Sequence, residues 1–121
     1  TGYIVCAPGG KVGEVGDADL IQSDDMNAIS AYCKTAEMYG FSTIYLEAGS
    51  GASQPVHVEL IRTAKSSSKC TLIIGGGIRT TEQLLSAANA GADYIVTGTI
   101  TEEHDSLESL REQLHSLISV L

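Results

Sequence analysis

Residues 71–99 read TLIIGGGIRTTEQLLSAANAGADYIVTGT, and the fold class follows from this stretch. Thr71-Leu72-Ile73-Ile74 is a short unbroken apolar run, the pattern of a strand covered on both faces. It ends in the turn Gly75-Gly76-Gly77. Thr80 and Gln83 then have the spacing of a capping box that opens a helix. Leu84, Leu85 and Ala88 turn that helix inward, and Gly91 stops it. A second apolar run, Tyr94-Ile95-Val96-Thr97, leads into Gly98-Thr99. Two strands joined by a helix run parallel, because a tight hairpin cannot connect them.

The same unit repeats outward. Upstream, Thr43-Ile44-Tyr45-Leu46-Glu47 is β-rich and is followed by Ala48-Gly49-Ser50-Gly51-Ala52. Pro55 suits the first position of the next helix, whose apolar face is Val56, Leu60, Ile61 and Ala64. Further upstream, Tyr3-Ile4-Val5-Cys6-Ala7 runs into Pro8-Gly9-Gly10 and a glycine-rich loop. Ser23 or Asp24 caps the helix that carries Met26, Ile29, Cys33 and Ala36, and Gly40 ends it. Downstream, Asp105 and Glu108 form a further cap. The last helix buries Leu107, Leu110, Leu114, Leu117, Ile118 and Leu121. Four β/α units form an open doubly wound sheet or half of an eight-stranded barrel, whose full length is roughly 250 residues.

Composition narrows the function. With 43% hydrophobic and 18% charged residues, the 121-residue chain can bury a core. A net charge of −8 argues against a nucleic-acid binder, which needs a basic face to displace counterions. It does not exclude a small phosphorylated ligand, because backbone N–H groups hold phosphate without net positive charge. Cys6, Cys33 and Cys70 are widely spaced with no C-x-x-C, so they read as reduced, buried residues of a cytosolic protein. No apolar run reaches the roughly 18–20 residues of a membrane span, and the expectation is a soluble, cytoplasmic protein. Thr1 is not an initiator Met, so the chain reads as a piece that starts just before a strand.

The glycines after consecutive strands are the first chemical signal. Ligands of parallel α/β folds bind at the C-terminal strand ends. Gly75-Gly76-Gly77 and Gly98-Thr99 let backbone approach a phosphate closely, though tight turning explains any one of them. Competing motifs fail. Thr80 stands where a dinucleotide fingerprint needs Gly or Ala, and Gly10-Lys11-Val12 lacks the hydroxyl of a P-loop. Asp24-Asp25-Met26-Asn27-Ala28 briefly resembles an aspartate-rich prenyl-synthase motif but sits at a helix start and reads as capping.

Glu47 is the sharpest single residue. It closes a strand at the mouth of a glycine-lined loop, where a carboxylate is costly without a role or a partner. Tyr45, two residues earlier, points to the same face, and the pair is suited to gripping a polyol. The competing reading is a salt bridge to Arg79 or Lys11. His57, His104 and His115 show no metal-ligand spacing. His57 and His115 fall on helix surfaces.

Three segments carry a family resemblance. Tyr45-Leu46-Glu47-Ala48-Gly49-Ser50-Gly51-Ala52 is the most specific. Gly75-Gly76-Gly77-Ile78-Arg79 and Ala90-Gly91-Ala92-Asp93-Tyr94-Ile95-Val96-Thr97-Gly98 are shared by many phosphate-binding barrels. Together they resemble geranylgeranylglyceryl phosphate synthase, more in its archaeal form than in its bacterial heptaprenyl relatives. The resemblance implies a (β/α)8 TIM barrel of which residues 1–121 are the C-terminal half, within a single domain. It implies a prenyltransferase of ether-lipid synthesis that moves a geranylgeranyl group from geranylgeranyl diphosphate to the sn-3 hydroxyl of sn-glycerol 1-phosphate. Tyr45 and Glu47 then contact the glycerol hydroxyls, with Glu47 catalytic. Gly77, Gly98 and Thr99 surround the phosphate, with Gly49, Ser50 and Gly76 nearby. The family often has Asn where this chain has Thr99. Magnesium at the donor diphosphate is implied too, with its ligands in the other half. Pro8 to Val15 are expected along the prenyl groove. The chain is expected to pair with that other half or with a copy of itself, and to form a homo-oligomer. The alternatives are another phosphate-binding barrel enzyme, an isomerase or lyase, and a half-barrel that binds phosphate without turnover.

Overall fold

The computed structural model describes residues 1–121. In chain order the elements are β1 (Gly2–Val5), α1 (Gly10–Val15), α2 (Met26–Met38), β2 (Thr43–Glu47), α3 (Val58–Ser67), β3 (Thr71–Gly75), α4 (Thr81–Ala90), β4 (Tyr94–Val96), α5 (Thr99–Glu102) and α6 (Leu107–Ile118). The four strands are parallel and lie in chain order, β1-β2-β3-β4. Tyr3 stands opposite Tyr45, Tyr45 opposite Ile73, and Ile73 opposite Tyr94.

That order separates the two architectures the sequence left open. A doubly wound sheet reverses its strand order at a switch point and carries helices on both faces. Here the order never reverses, and α2, α3 and α4 pack against one another in sequence. The sheet is therefore wound in one direction, as an arc of barrel wall.

Alternation along the strands makes two faces. Ile4, Ile44, Leu46, Leu72 and Ile74 turn towards the helices and form one buried cluster with Ile29, Cys33, Leu60, Ile61 and Leu84. Burying each such aliphatic side chain stabilises by about 1.5–3 kcal/mol, so this layer holds the arc together. The other face carries Tyr3, Val5, Tyr45, Glu47, Ile73, Tyr94 and Val96. Only α1 reaches it, with Gly13 against Val5, and at the far side Tyr94 and Val96 are 64% and 46% exposed. The two-sided cover predicted for β3 and β4 is thus supplied on one side only. No helix is long and apolar enough to cross a membrane. The three cysteines are free and buried. Burial pushes the Cys6 thiol up to about 12 and the Cys33 thiol up to about 11, which keeps both protonated and unreactive.

Several expected boundaries shift. Asp25, not Ser23 or Asp24, caps α2, accepting from the Ala28 N–H at 2.9 Å. Pro55 lies outside α3. His57 is the N-cap there, its Nδ1 accepting from Glu59 N–H. Ser106, rather than Asp105, caps α6 through the Ser109 N–H. Leu117 is the one buried residue of the α6 stripe, while Leu107, Ile118 and Leu121 are exposed. The capping box of Thr80 and Gln83 is present as expected.

Asp93, in the turn before β4, ties sheet to helix. Its carboxylate accepts from Lys65 Nζ at 2.6 Å and from the Leu72 N–H at 2.8 Å. The Lys65 hydrogen bond, then the Leu72 N–H, hold its carboxyl below the usual carboxylate range. A lowered folded-state value means that this contribution to stability is complete above the unfolded pKa and is lost as pH falls through the folded one. Exposure of both side chains to solvent keeps the effect modest. Asp93→Asn should therefore flatten the acid limb of a melting-temperature profile below about pH 4, the ordinary carboxylate range, and lower the melting temperature slightly at neutral pH.

Candidate functional site

The pleat places Tyr45 and Glu47 on the uncovered face, at the C-terminal end of β2. Parallel register brings Tyr3 of β1 beside them. The Tyr3 and Tyr45 rings stack with centroids 5.1 Å apart and an interplanar angle of 16°. Tyr3 OH donates to Glu47 Oε2 at 3.1 Å, and the Gly49 N–H donates to Glu47 Oε1 at 2.6 Å. Glu47 is only 9% exposed, so these two bonds answer its desolvation. Neither Arg79 nor Lys11 pairs with it. The expected salt bridge is replaced by a phenol and a backbone amide.

Burial first, and then the Glu47 carboxylate, push the Tyr3 phenol up to about 12 and raise that of Tyr45 as well. Both phenols therefore stay protonated at neutral pH and act as hydrogen-bond donors. Gly75 makes room for this group, since a Cβ there would run into the Tyr45 hydroxyl. At Gly76 a Cβ would stand 2.5 Å from Glu47 Oε1.

Above this group lies a cleft of about 110 Å³, well below the roughly 300–1,000 Å³ of a drug-sized pocket. It is lined by Tyr45, Glu47, Ser50, Gly76, Gly77, Ile78, Arg79, Val96, Thr97, Gly98 and Thr99. The loops after β2, β3 and β4 all reach it. The N–H groups of Gly76, Gly77 and Gly98 donate to no backbone carbonyl and are free for an anion. A carboxylate and a phenol thus sit at the strand end beside a small cavity rich in backbone donors.

Seven of the eight residues expected to touch substrate line the cleft. Gly49 does not. Its N–H is engaged by Glu47, and its backbone packs against Gly10, where a Cβ would meet the Gly10 N and Cα at 2.6 Å. Gly49 orients the carboxylate instead of facing the cleft. The Thr99 Oγ1 accepts from the Gly51 N–H at 3.2 Å, which leaves its own hydroxyl hydrogen available. Gly98 has φ −125° as the N-cap of α5, and a Cβ there meets nothing within 4 Å. Gly76 and Gly77 have positive φ, and Gly98 does not.

Tyr3 joins the site without any local signal in the sequence to mark it. Pro8 lines a larger hollow of about 510 Å³ with Ser53, Pro55, His57, Glu82 and Ser86, while Gly10–Val15 form α1. No three His, Cys, Asp or Glu side chains come together as a metal site.

The chain matches the PcrB family over residues 1–117. Geranylgeranylglyceryl phosphate synthase of Thermococcus kodakarensis is 47% identical over 115 residues, covering 95% of this chain and 46% of its own length. The synthase of Methanobrevibacter smithii is 42% identical over 118 residues, covering 97% and 47%. Among solved structures, (S)-3-O-geranylgeranylglyceryl phosphate synthase from Thermoplasma acidophilum, in complex with its substrate sn-glycerol-1-phosphate, superposes with a TM-score of 0.91 at 42% identity. It matches over 98% of this chain and 47% of its own. The chain spans about half the length of the curated relatives it matches.

Proposed function

The chain belongs to the PcrB family, and from that premise we propose that it is the C-terminal half of a single (β/α)8-barrel domain. In this reading it supplies the glycerol phosphate side of a geranylgeranyl transferase. The observation that carries the reading is the cleft, whose lining joins the buried Glu47 and the protonated Tyr45 to Gly76, Gly77 and Gly98, glycines with free N–H groups. One end of this arrangement suits hydroxyls and the other suits phosphate. The structural neighbour from Thermoplasma acidophilum binds sn-glycerol-1-phosphate in the same fold.

The reaction is an alkyl transfer. The sn-3 hydroxyl oxygen of sn-glycerol 1-phosphate forms a bond to the first carbon of geranylgeranyl diphosphate. The bond from that carbon to the diphosphate oxygen breaks, and diphosphate leaves with its electron pair. The hydroxyl proton passes to Glu47. Two donors already fix this carboxylate, so it meets the hydroxyl without reorganising. Tyr45 orients the polyol. The phosphate, held by the glycine loops, fixes which hydroxyl faces the donor. The resemblance implies magnesium at the donor diphosphate with its ligands in the other half of the barrel, and this chain brings no three His, Cys, Asp or Glu side chains together. The roles of Glu47, Tyr45 and the glycines do not involve it. The reading puts the protein in the cytoplasm, meeting its lipid donor at the membrane surface.

The same reading covers the exposed sheet face with the other half of the barrel or with a second copy. An unpaired β4 edge, a β1 edge met only by Ile21 at its C-terminal end, and an exposed Tyr94 and Val96 are otherwise an aggregation liability. Sedimentation should find the 12.7 kDa chain in a larger species. A stable monomer would count against the barrel. Activity is tested by incubating the protein with geranylgeranyl diphosphate and labelled sn-glycerol 1-phosphate. Label should enter an organic-extractable ether, and none should do so from sn-glycerol 3-phosphate.

A further inference from the structure

Arg79 is the only cationic side chain lining the cleft, yet its guanidinium is turned to the protein. Nη1 donates to the Ala52 carbonyl at 2.6 Å and Nη2 to the Gly51 carbonyl at 3.3 Å. Nε lies 3.6 Å from Glu103. The backbone of Arg79 is fixed as well, its N–H donating to Gln83 Oε1 at 2.8 Å and its carbonyl accepting from Gln113 Nε2 at 3.2 Å. Gly51 is therefore gripped from both sides. Thr99, from the turn after β4, accepts from its N–H, and Arg79, from the turn after β3, donates to its carbonyl.

We infer that Arg79 is a positioning residue that holds the Ser50–Gly51 arch as the roof of the phosphate cleft. It acts through the planar fork of its donors and not through its charge alone. The inference rests on the functional reading above. Ser50 lines the cleft directly before the gripped residue, so its position depends on that grip. A lysine keeps the charge but offers a compact ammonium that cannot hold two successive carbonyls in one plane.

The test uses the full chain with Arg79→Lys and Arg79→Gln, titrated calorimetrically with sn-glycerol 1-phosphate, alongside amide hydrogen exchange. Both variants should lose affinity at least about tenfold, the scale of one charge-assisted hydrogen bond. Exchange should speed up at Ser50, Gly51 and Ala52, while β2 and β3 keep their protection. Parent-like affinity in Arg79→Lys with loss in Arg79→Gln would assign the effect to charge and overturn the inference, as would unchanged exchange in the arch. A parent chain that binds no glycerol phosphate overturns the functional reading and this inference with it. A binding parent with two parent-like variants overturns the inference alone.

Discussion

Glu47→Gln should lower turnover at saturating substrate by at least about a hundredfold, because positioned general-base assistance is typically worth about 10²–10⁴ in rate. The geometry makes the substitution clean. Its amide oxygen can still accept from the Gly49 N–H, and its NH2 can face the Tyr3 hydroxyl, which accepts as readily as it donates. The loop and the Tyr3–Tyr45 stack are therefore retained, and glycerol phosphate should still bind, somewhat less tightly. Tyr45→Phe should act more mildly, since it removes a hydroxyl and no base. Steady-state kinetics in the complete enzyme separate the roles. If kcat is unchanged and only KM rises, Glu47 is a clamp, and the proton leaves through water or the departing diphosphate.

Gly98→Val should abolish most glycerol phosphate binding while leaving the melting temperature near that of the parent. The Gly98 φ is negative and a Cβ there meets nothing within 4 Å, so the added methyls clash with no packed neighbour, and on a residue that lines the cleft they crowd the approach of phosphate. Blocking even one or two charge-assisted N–H contacts, each worth about 1.5–3 kcal/mol, predicts a loss of tenfold or far more. Gly77→Val should behave differently. Gly77 has φ +72°, and its Cβ would stand 2.5 Å from the Gln54 carbonyl oxygen. Valine there is strained by about 1–3 kcal/mol from the backbone alone, so binding and stability should fall together. Calorimetry with thermal melting checks the pair. Parent-like affinity in Gly98→Val would put the phosphate elsewhere.

The contrast between Gly77 and Gly98 shows where the sequence stops informing. Both are glycines after strands, and their shared place in the cleft was legible from that position. The backbone state of each depends on what packs against it, namely the Gln54–Pro55 segment for Gly77 and open space for Gly98. Tyr45 and Glu47 were legible because strand periodicity is local. Tyr3 was not, because it lies 44 residues from the Glu47 it bonds, and only the β1–β2 register brings them together. The N-caps of α2 and α6 moved by a residue or two because neighbouring Ser and Asp residues compete for the same N–H groups. The four-residue α5 has no periodicity to read. In α6 the apolar spacing marks a face but does not say what covers it, and Leu107, Ile118 and Leu121 remain exposed. Periodicity left a barrel arc and a doubly wound sheet both open, the family resemblance pointed to the barrel, and the unreversed strand order agrees with it.

The most direct test of the central claim is a calorimetric titration of the protein with sn-glycerol 1-phosphate and, separately, with sn-glycerol 3-phosphate. In the proposed reading phosphate sits at the glycine loops and the hydroxyls at Tyr45 and Glu47, so the enantiomer cannot satisfy both ends at once. Saturable one-site binding of the 1-phosphate is expected, with at least about tenfold weaker binding of the 3-phosphate, the cost of roughly one unpaired buried polar group. Equal affinity for the two, or binding of neither, would contradict it.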